Sequence, residues 1–181
     1  MRTFIALNPN EEFLDSLLRS LLPLKEKYPH LRWIQKENLH ITLVFLGEID
    51  KEQLPLVKTA AEAALGSGEI NAMGSRLFTL PPRREANVLA LGFEKGREEI
   101  SSLAALIKER LKISGIFLGE NERKGFIPHI TVARKGREHI RLLEDELTVP
   151  VVQGKLNNLR VYKSDLLPQG PLYSVLASYV L

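Results

Sequence analysis

Residues 3–7, Thr3-Phe4-Ile5-Ala6-Leu7, form a short apolar run suited to a strand. From Asn10 the spacing becomes helical. Phe13, Leu14, Leu17, Leu18 and Leu21 recur every three or four residues, with Asn10 as N-cap and Glu11 and Glu12 in the first turn. Pro23 or Pro29 is expected to interrupt or end this helix. Residues 31–34 and 39–46 read as strands, the second stopping at Gly47. Asp50 should cap a second helix that reaches about Leu65 and ends at Gly66-Ser67-Gly68.

Further on, strands are predicted over residues 70–80 and 87–93, separated by the turn Pro81-Pro82-Arg83-Arg84. A third helix spans about 97–112, with Ile100, Leu103, Ala104, Ile107 and Leu111 on one face. Residues 119–125 are polar and read as a loop, 128–134 as a strand and 138–146 as a short helix. Strands over 149–152, 156–162 and 172–181 complete the chain.

The order of elements suggests a duplication. A strand and a helix precede residues 39–46, and another strand and helix precede residues 128–134 at a similar distance. The expectation is an α+β fold of two lobes related by a pseudo-two-fold axis. Each lobe would be a mainly antiparallel sheet with helices on its outer face and a central cleft between the two. No linker divides the chain, so residues 1–181 are expected to make one two-lobed domain.

Composition narrows the chemistry rather than the fold. The 181 residues include no cysteine, which excludes thiolate nucleophiles, Cys-ligated zinc and disulfides. A net charge of +3 is too small to identify a polyanionic partner by itself. Neither a signal-peptide core nor an apolar stretch of roughly 20 residues occurs, so a cytoplasmic protein without membrane attachment is expected, acting as a monomer.

Two short motifs stand out: His40-Ile41-Thr42 and His129-Ile130-Thr131. With four histidines and six threonines in the chain, chance would supply about 0.1 such triplets. In a strand, residues i and i+2 share a face. Each motif therefore offers an imidazole beside a hydroxyl, while Leu39, Ile41 and Leu43, or Ile130 and Val132, face the core. Opposed across a cleft, such pairs suit a phosphodiester. One imidazole can take a proton from water, the other can give one to the departing oxygen, and the hydroxyls can hold the non-bridging oxygens. The scheme needs no metal or cofactor. The residues alone do not say which histidine is the acid. They also leave room for a plainer reading, two half-buried strand histidines bonded to backbone beside threonines chosen for strand propensity.

At these residues the chain resembles the RNA 2′,3′-cyclic phosphodiesterase (2′-5′ RNA ligase-like) family of the two-histidine phosphoesterase superfamily. The resemblance rests on two long blocks. The first is Glu37-Asn38-Leu39-His40-Ile41-Thr42-Leu43-Val44-Phe45-Leu46-Gly47, and the second Gly125-Phe126-Ile127-Pro128-His129-Ile130-Thr131-Val132-Ala133-Arg134. It implies a bilobal fold and metal-independent opening of RNA 2′,3′-cyclic phosphates to a 2′-phosphate, with 2′-5′ RNA ligation as a side activity. It also implies His40 as proton donor, His129 as proton acceptor, and Thr42, Thr131 and Arg134 as substrate-binding residues.

Strict alternation qualifies two of these positions. It puts Arg134 on the face opposite His129 unless the strand bends, and it puts Phe45 in the core rather than under a base. Trp33 is expected in the core, and His30 and His139 as exposed bystanders. Arg83-Arg84, and Arg134-Lys135 with Arg137, are candidate basic rims for RNA. The competing readings are an RNA-binding module without turnover, and the same chemistry on another cyclic or 2′-5′ phosphodiester.

Overall fold

The computed structural model describes residues 1–82, 86–119, 125–167 and 170–181, at 144 the backbone only. Arg83 and Arg84, and most of the loop expected at 119–125, lie outside the described residues. In chain order the elements are β1 (Arg2–Pro9), α1 (Glu11–Lys27), β2 (Arg32–Trp33), β3 (Ile41–Glu48), α2 (Leu54–Glu62) and β4 (Ile70–Leu80). There follow β5 (Val88–Gly92), α3 (Arg97–Ile113), β6 (His129–Arg134), β7 (Thr148–Leu167) and β8 (Gly170–Val180).

Every pairing between these strands is antiparallel. The spatial order is β2-β6-β5-β4-β7-β1-β3, with β8 also on β7. The seam is where β4 meets β7, from Ile70 opposite Leu156 to Arg76 opposite Thr148. Beyond it β4 pairs instead with β5, from Leu77 opposite Leu91 to Leu80 opposite Val88. One half is therefore β7-β1-β3 and the other β4-β5-β6 with the two-residue β2 outside it, and the His-x-Thr motifs lie on β6 and at the start of β3. At the changeover the backbones crowd together: a Cβ on Gly74 would lie 2.2 Å from the Gly92 carbonyl oxygen, so only glycine fits.

The helices form for the reasons the sequence offers. The Asn10 side chain accepts from the Phe13 N–H at 3.0 Å, and α1 buries Phe13, Leu14, Leu17, Leu21 and Leu24. The Gln53 side-chain oxygen accepts from the Asp50 N–H at 2.9 Å at the entry to α2. α3 buries the five residues of its apolar stripe. These faces meet Ile5, Leu7, Ile41, Leu43, Leu89, Leu91 and Ile130 of the sheet in a single core cluster. Each such side chain contributes roughly 1.5–3 kcal/mol on burial. The other face of β1 belongs to a separate small cluster of Phe4, Ala6 and Tyr162, against which Phe45 and Tyr173 pack. That second face carries the candidate site.

Of the two prolines expected to end α1, Pro29 does so: the helix runs through Pro23 and stops at Lys27, with the Leu24 carbonyl accepting from the Tyr28 N–H just before Pro29. Two expectations are corrected. Residues 138–146 are not a helix. The Ile140 N–H is committed to the Ala86 carbonyl at 2.9 Å, and only a 3₁₀ turn, Glu144–Leu147, follows. Finally, the two strands expected over 149–152 and 156–162 are one strand of 20 residues, β7. Among the described residues no helix is long and apolar enough to cross a membrane.

Candidate active site

His40 and His129 are held in the same way. His40 follows the 3₁₀ turn Lys36–Asn38, and its Nδ1 lies 2.7 Å from the Asn38 carbonyl oxygen. His129 opens β6, and its Nδ1 lies 2.8 Å from the Ile127 carbonyl oxygen. In each case the partner is two residues back. A carbonyl can only accept, so Nδ1 carries the proton and donates it, and the neutral ring keeps a bare Nε2. The Nε2 of His40 is 3.1 Å from Thr42 Oγ1. The isoleucines between histidine and threonine are fully buried, as the alternation predicts.

Both histidines and both threonines line one cleft of about 540 Å³. Three guanidiniums share it, those of Arg2, Arg32 and Arg134, and among the described residues no Asp or Glu does. A chain whose net charge is only +3 thus concentrates cations at one place. Among the described residues no three His, Asp or Glu side chains converge as a metal site.

The two imidazoles differ in their surroundings. His40 stacks on Phe4 with ring centroids 5.1 Å apart, meets Tyr173 edge-on at 5.6 Å and lies 6.0 Å from Tyr162. Burial pushes its pKa down to about 4, the Arg134 guanidinium and the neighbouring His129 push the same way, and the bond to Asn38 opposes them. At neutral pH and without a bound anion, His40 is therefore uncharged. Among the described residues the aromatic contact of His129 is the edge of Phe78, at 6.0 Å.

Arg134 and Phe45 both reach the cleft, and by the same device. The β1–β3 register slips between Ile5 and Ala6, so Leu43 and Val44 both point into the core. The β5–β6 register slips between Leu89 and Ala90, and Val132 and Ala133 do likewise. Each slip is a β-bulge at the third and fourth positions after the histidine, and it returns the fifth to the histidine's face. Arg134 thereby joins the site, the bend that alternation required. Phe45 is corrected: it is half-buried on the cleft face, with the Arg2 guanidinium 4.8 Å from its ring centroid, and not in the main core.

Trp33 packs against the main core, donates from Nε1 to the Tyr28 carbonyl oxygen at 3.0 Å, and also lines the cleft. His139 is half-buried rather than exposed, with Nδ1 3.2 Å from Asn87 Oδ1, while His30 is exposed. Arg2, Arg32 and Tyr173 are cleft residues that sequence reasoning missed. Arg2 shares the parity of Phe4, but nothing in the sequence marks that face as the cleft.

Residues 7–85 match the model of the LigT-like phosphoesterase family, a span that includes the first His-x-Thr motif. The chain is 29% identical to the RNA 2′,3′-cyclic phosphodiesterase of Thermotoga maritima, over 97% of this chain and 93% of that one. It is 28% identical to the protein of the same name from Methanocaldococcus jannaschii, over 99% and 100%. Its fold resembles the crystal structure of TT0787 of Thermus thermophilus, with a TM-score of 0.81 and 26% identity over 100% and 98% of the two chains. It also resembles Escherichia coli LigT complexed with 3′-AMP, with a TM-score of 0.76 and 20% identity over 99% and 97%.

Proposed function

We propose that the chain, which is similar to the LigT-like phosphoesterases, opens 2′,3′-cyclic phosphate ends of RNA to a 2′-phosphate, as a single two-lobed unit and without a metal. The observation that carries this reading is the matched tethering of His40 and His129 through Nδ1, which leaves the Nε2 of each ring for proton transfer in a cleft shared with both threonines and Arg134.

His129 acts as the proton acceptor. Its Nε2 takes a proton from water as the water oxygen attacks phosphorus. The bond from phosphorus to O3′ breaks, the bond to O2′ stays, and His40 gives its Nε2 proton to the departing O3′. Thr42 and Thr131 donate to the non-bridging oxygens, and Arg134 balances their charge. His40 begins neutral, so it must gain its proton as the anion enters. A phosphate placed beside a desolvated imidazole favours the charged form and raises the pKa. If a 5′-hydroxyl replaces water as the nucleophile, the same transfers join two RNA ends through a 2′-5′ linkage.

The deciding experiment is turnover of oligoribonucleotides ending in 2′,3′-cyclic phosphate, with the product position determined. A 2′-phosphate product supports the reading. A 3′-phosphate product, or none, overturns it.

A further inference from the structure

Arg32 stands directly opposite Arg134 in the β2–β6 pairing. Residues paired this way project from the same face with Cβ atoms about 4.5–5.5 Å apart, and like charges so placed repel. Both guanidiniums line the cleft, and neither has an ion-pair partner among the described residues. Arg32 donates from Nε to the Lys135 carbonyl oxygen at 3.0 Å, which fixes the plane of its guanidinium and leaves the Nη groups for a ligand. An uncompensated cation pair in a cleft is stabilised when each guanidinium meets an anionic group.

Arg32 also belongs to a second cavity, lined with His30, Gly136, Arg137 and Glu138. The segments there abut closely: a Cβ on Gly136 would lie 2.3 Å from the His30 carbonyl oxygen. Arg32 is thus a side chain shared by the cleft and this second cavity. At the position corresponding to Arg134, the other half has Phe45, an aromatic surface. The halves are therefore alike at the His-x-Thr motifs and unlike at the fifth residue after each histidine.

We infer that Arg32 seats a second phosphate, the phosphodiester on the 5′ side of the terminal nucleotide, while Arg134 serves the reacting one. This rests on the RNA reading above and deepens it, since it makes oligoribonucleotide ends, rather than mononucleotides, the preferred substrate class. Arg32 is a specificity residue; it takes no part in the proton transfers.

The test is binding, so that it does not depend on turnover. A trinucleotide with a 5′-fluorescein and a terminal 2′-phosphate is titrated by anisotropy, and a nucleoside 2′-monophosphate by its displacement of that probe. The intact protein should bind the trinucleotide about 10–100-fold more tightly than the mononucleotide. Arg32→Ala should weaken trinucleotide binding at least tenfold, leave the mononucleotide within about twofold, and lower the salt slope by about one ion. Arg32→Lys should fall between, keeping the charge and losing the fork. Equal losses on both ligands would overturn the assignment, and so would unchanged trinucleotide binding. A protein that shows the expected binding pattern yet opens no cyclic phosphate would count against the proposed reaction alone.

Discussion

Phe45 and Arg134 occupy the same place in two related strands, each five residues after a cleft histidine and each turned toward it by a bulge. The shared geometry carries different chemistry, an aromatic ring on one strand and a guanidinium on the other. Arg134→Ala should therefore lower kcat/KM on a cyclic-phosphate substrate by about 10–100-fold, the size of a lost charge-assisted contact. Arg134→Lys should recover only part of it. Phe45→Leu, which keeps an apolar side chain, should leave kcat within about threefold. Steady-state kinetics on the three variants checks this, and an Arg134→Ala enzyme with unaltered kinetics would remove the residue from the site.

His40→Ala and His129→Ala should each reduce kcat by about 10²–10⁴-fold while circular dichroism shows the fold retained. The activity of the unaltered enzyme should persist in excess EDTA. Complete loss in EDTA, restored by a divalent ion, would point instead to a metallohydrolase.

Thr42→Val and Thr131→Val keep the shape of the side chain and remove its hydroxyl. Each should lower kcat by about 10²–10³-fold, with a smaller change in KM, if the hydroxyls hold charge that builds in the transition state. Thr→Ser at the same positions should restore much of the loss. A change confined to KM would make the hydroxyls simple ground-state contacts.

Titration of His40 has two readouts. In the free protein its pKa is depressed from 6.5 to about 4, so between those values the unfolded chain binds the proton that the folded chain refuses. Stability is then complete above about pH 6.5 and is lost as pH falls toward 4, by up to about 3 kcal/mol from this group. Urea unfolding at pH 7 and pH 4.5 should show a larger drop in the unaltered protein than in His40→Gln, which cannot titrate. With a nucleoside 2′-monophosphate bound, the His40 imidazole resonances should titrate at higher pH than in the free protein. A His40 that stays neutral with the anion bound would reverse the donor and acceptor roles.

Much of the fold was legible because local signals agreed with packing. Asn10 caps α1 as its side chain suggests, Ile41 and Ile130 are buried as the alternation requires, and the two strand–helix–strand units recur in the expected order. That two histidines and two threonines share one cleft was legible through their motifs for the same reason. What escaped was decided between strands rather than along them. A bulge depends on how two strands register, so neither Leu43-Val44 nor Val132-Ala133 announces one, and Phe45 was assigned to the wrong face. Arg32 escaped because its neighbour across the sheet, Arg134, is 102 positions away in the chain. The helix expected at 138–146 failed because Ile140 bonds to Ala86, a partner its own segment does not reveal.

The seam between β4 and β7 has a consequence of its own. His40 hangs from the half that β7 begins, and His129 from the half that β4 begins, so the gap between the imidazoles is set by how those two strands are registered. A slip of one residue there would move one half along the other by about 3.3 Å, more than the tolerance of a hydrogen bond. The seam thus works as a ruler for two imidazoles it does not touch. A mutation at Gly74, far from either histidine in sequence, would first show itself as two imidazoles set at the wrong distance.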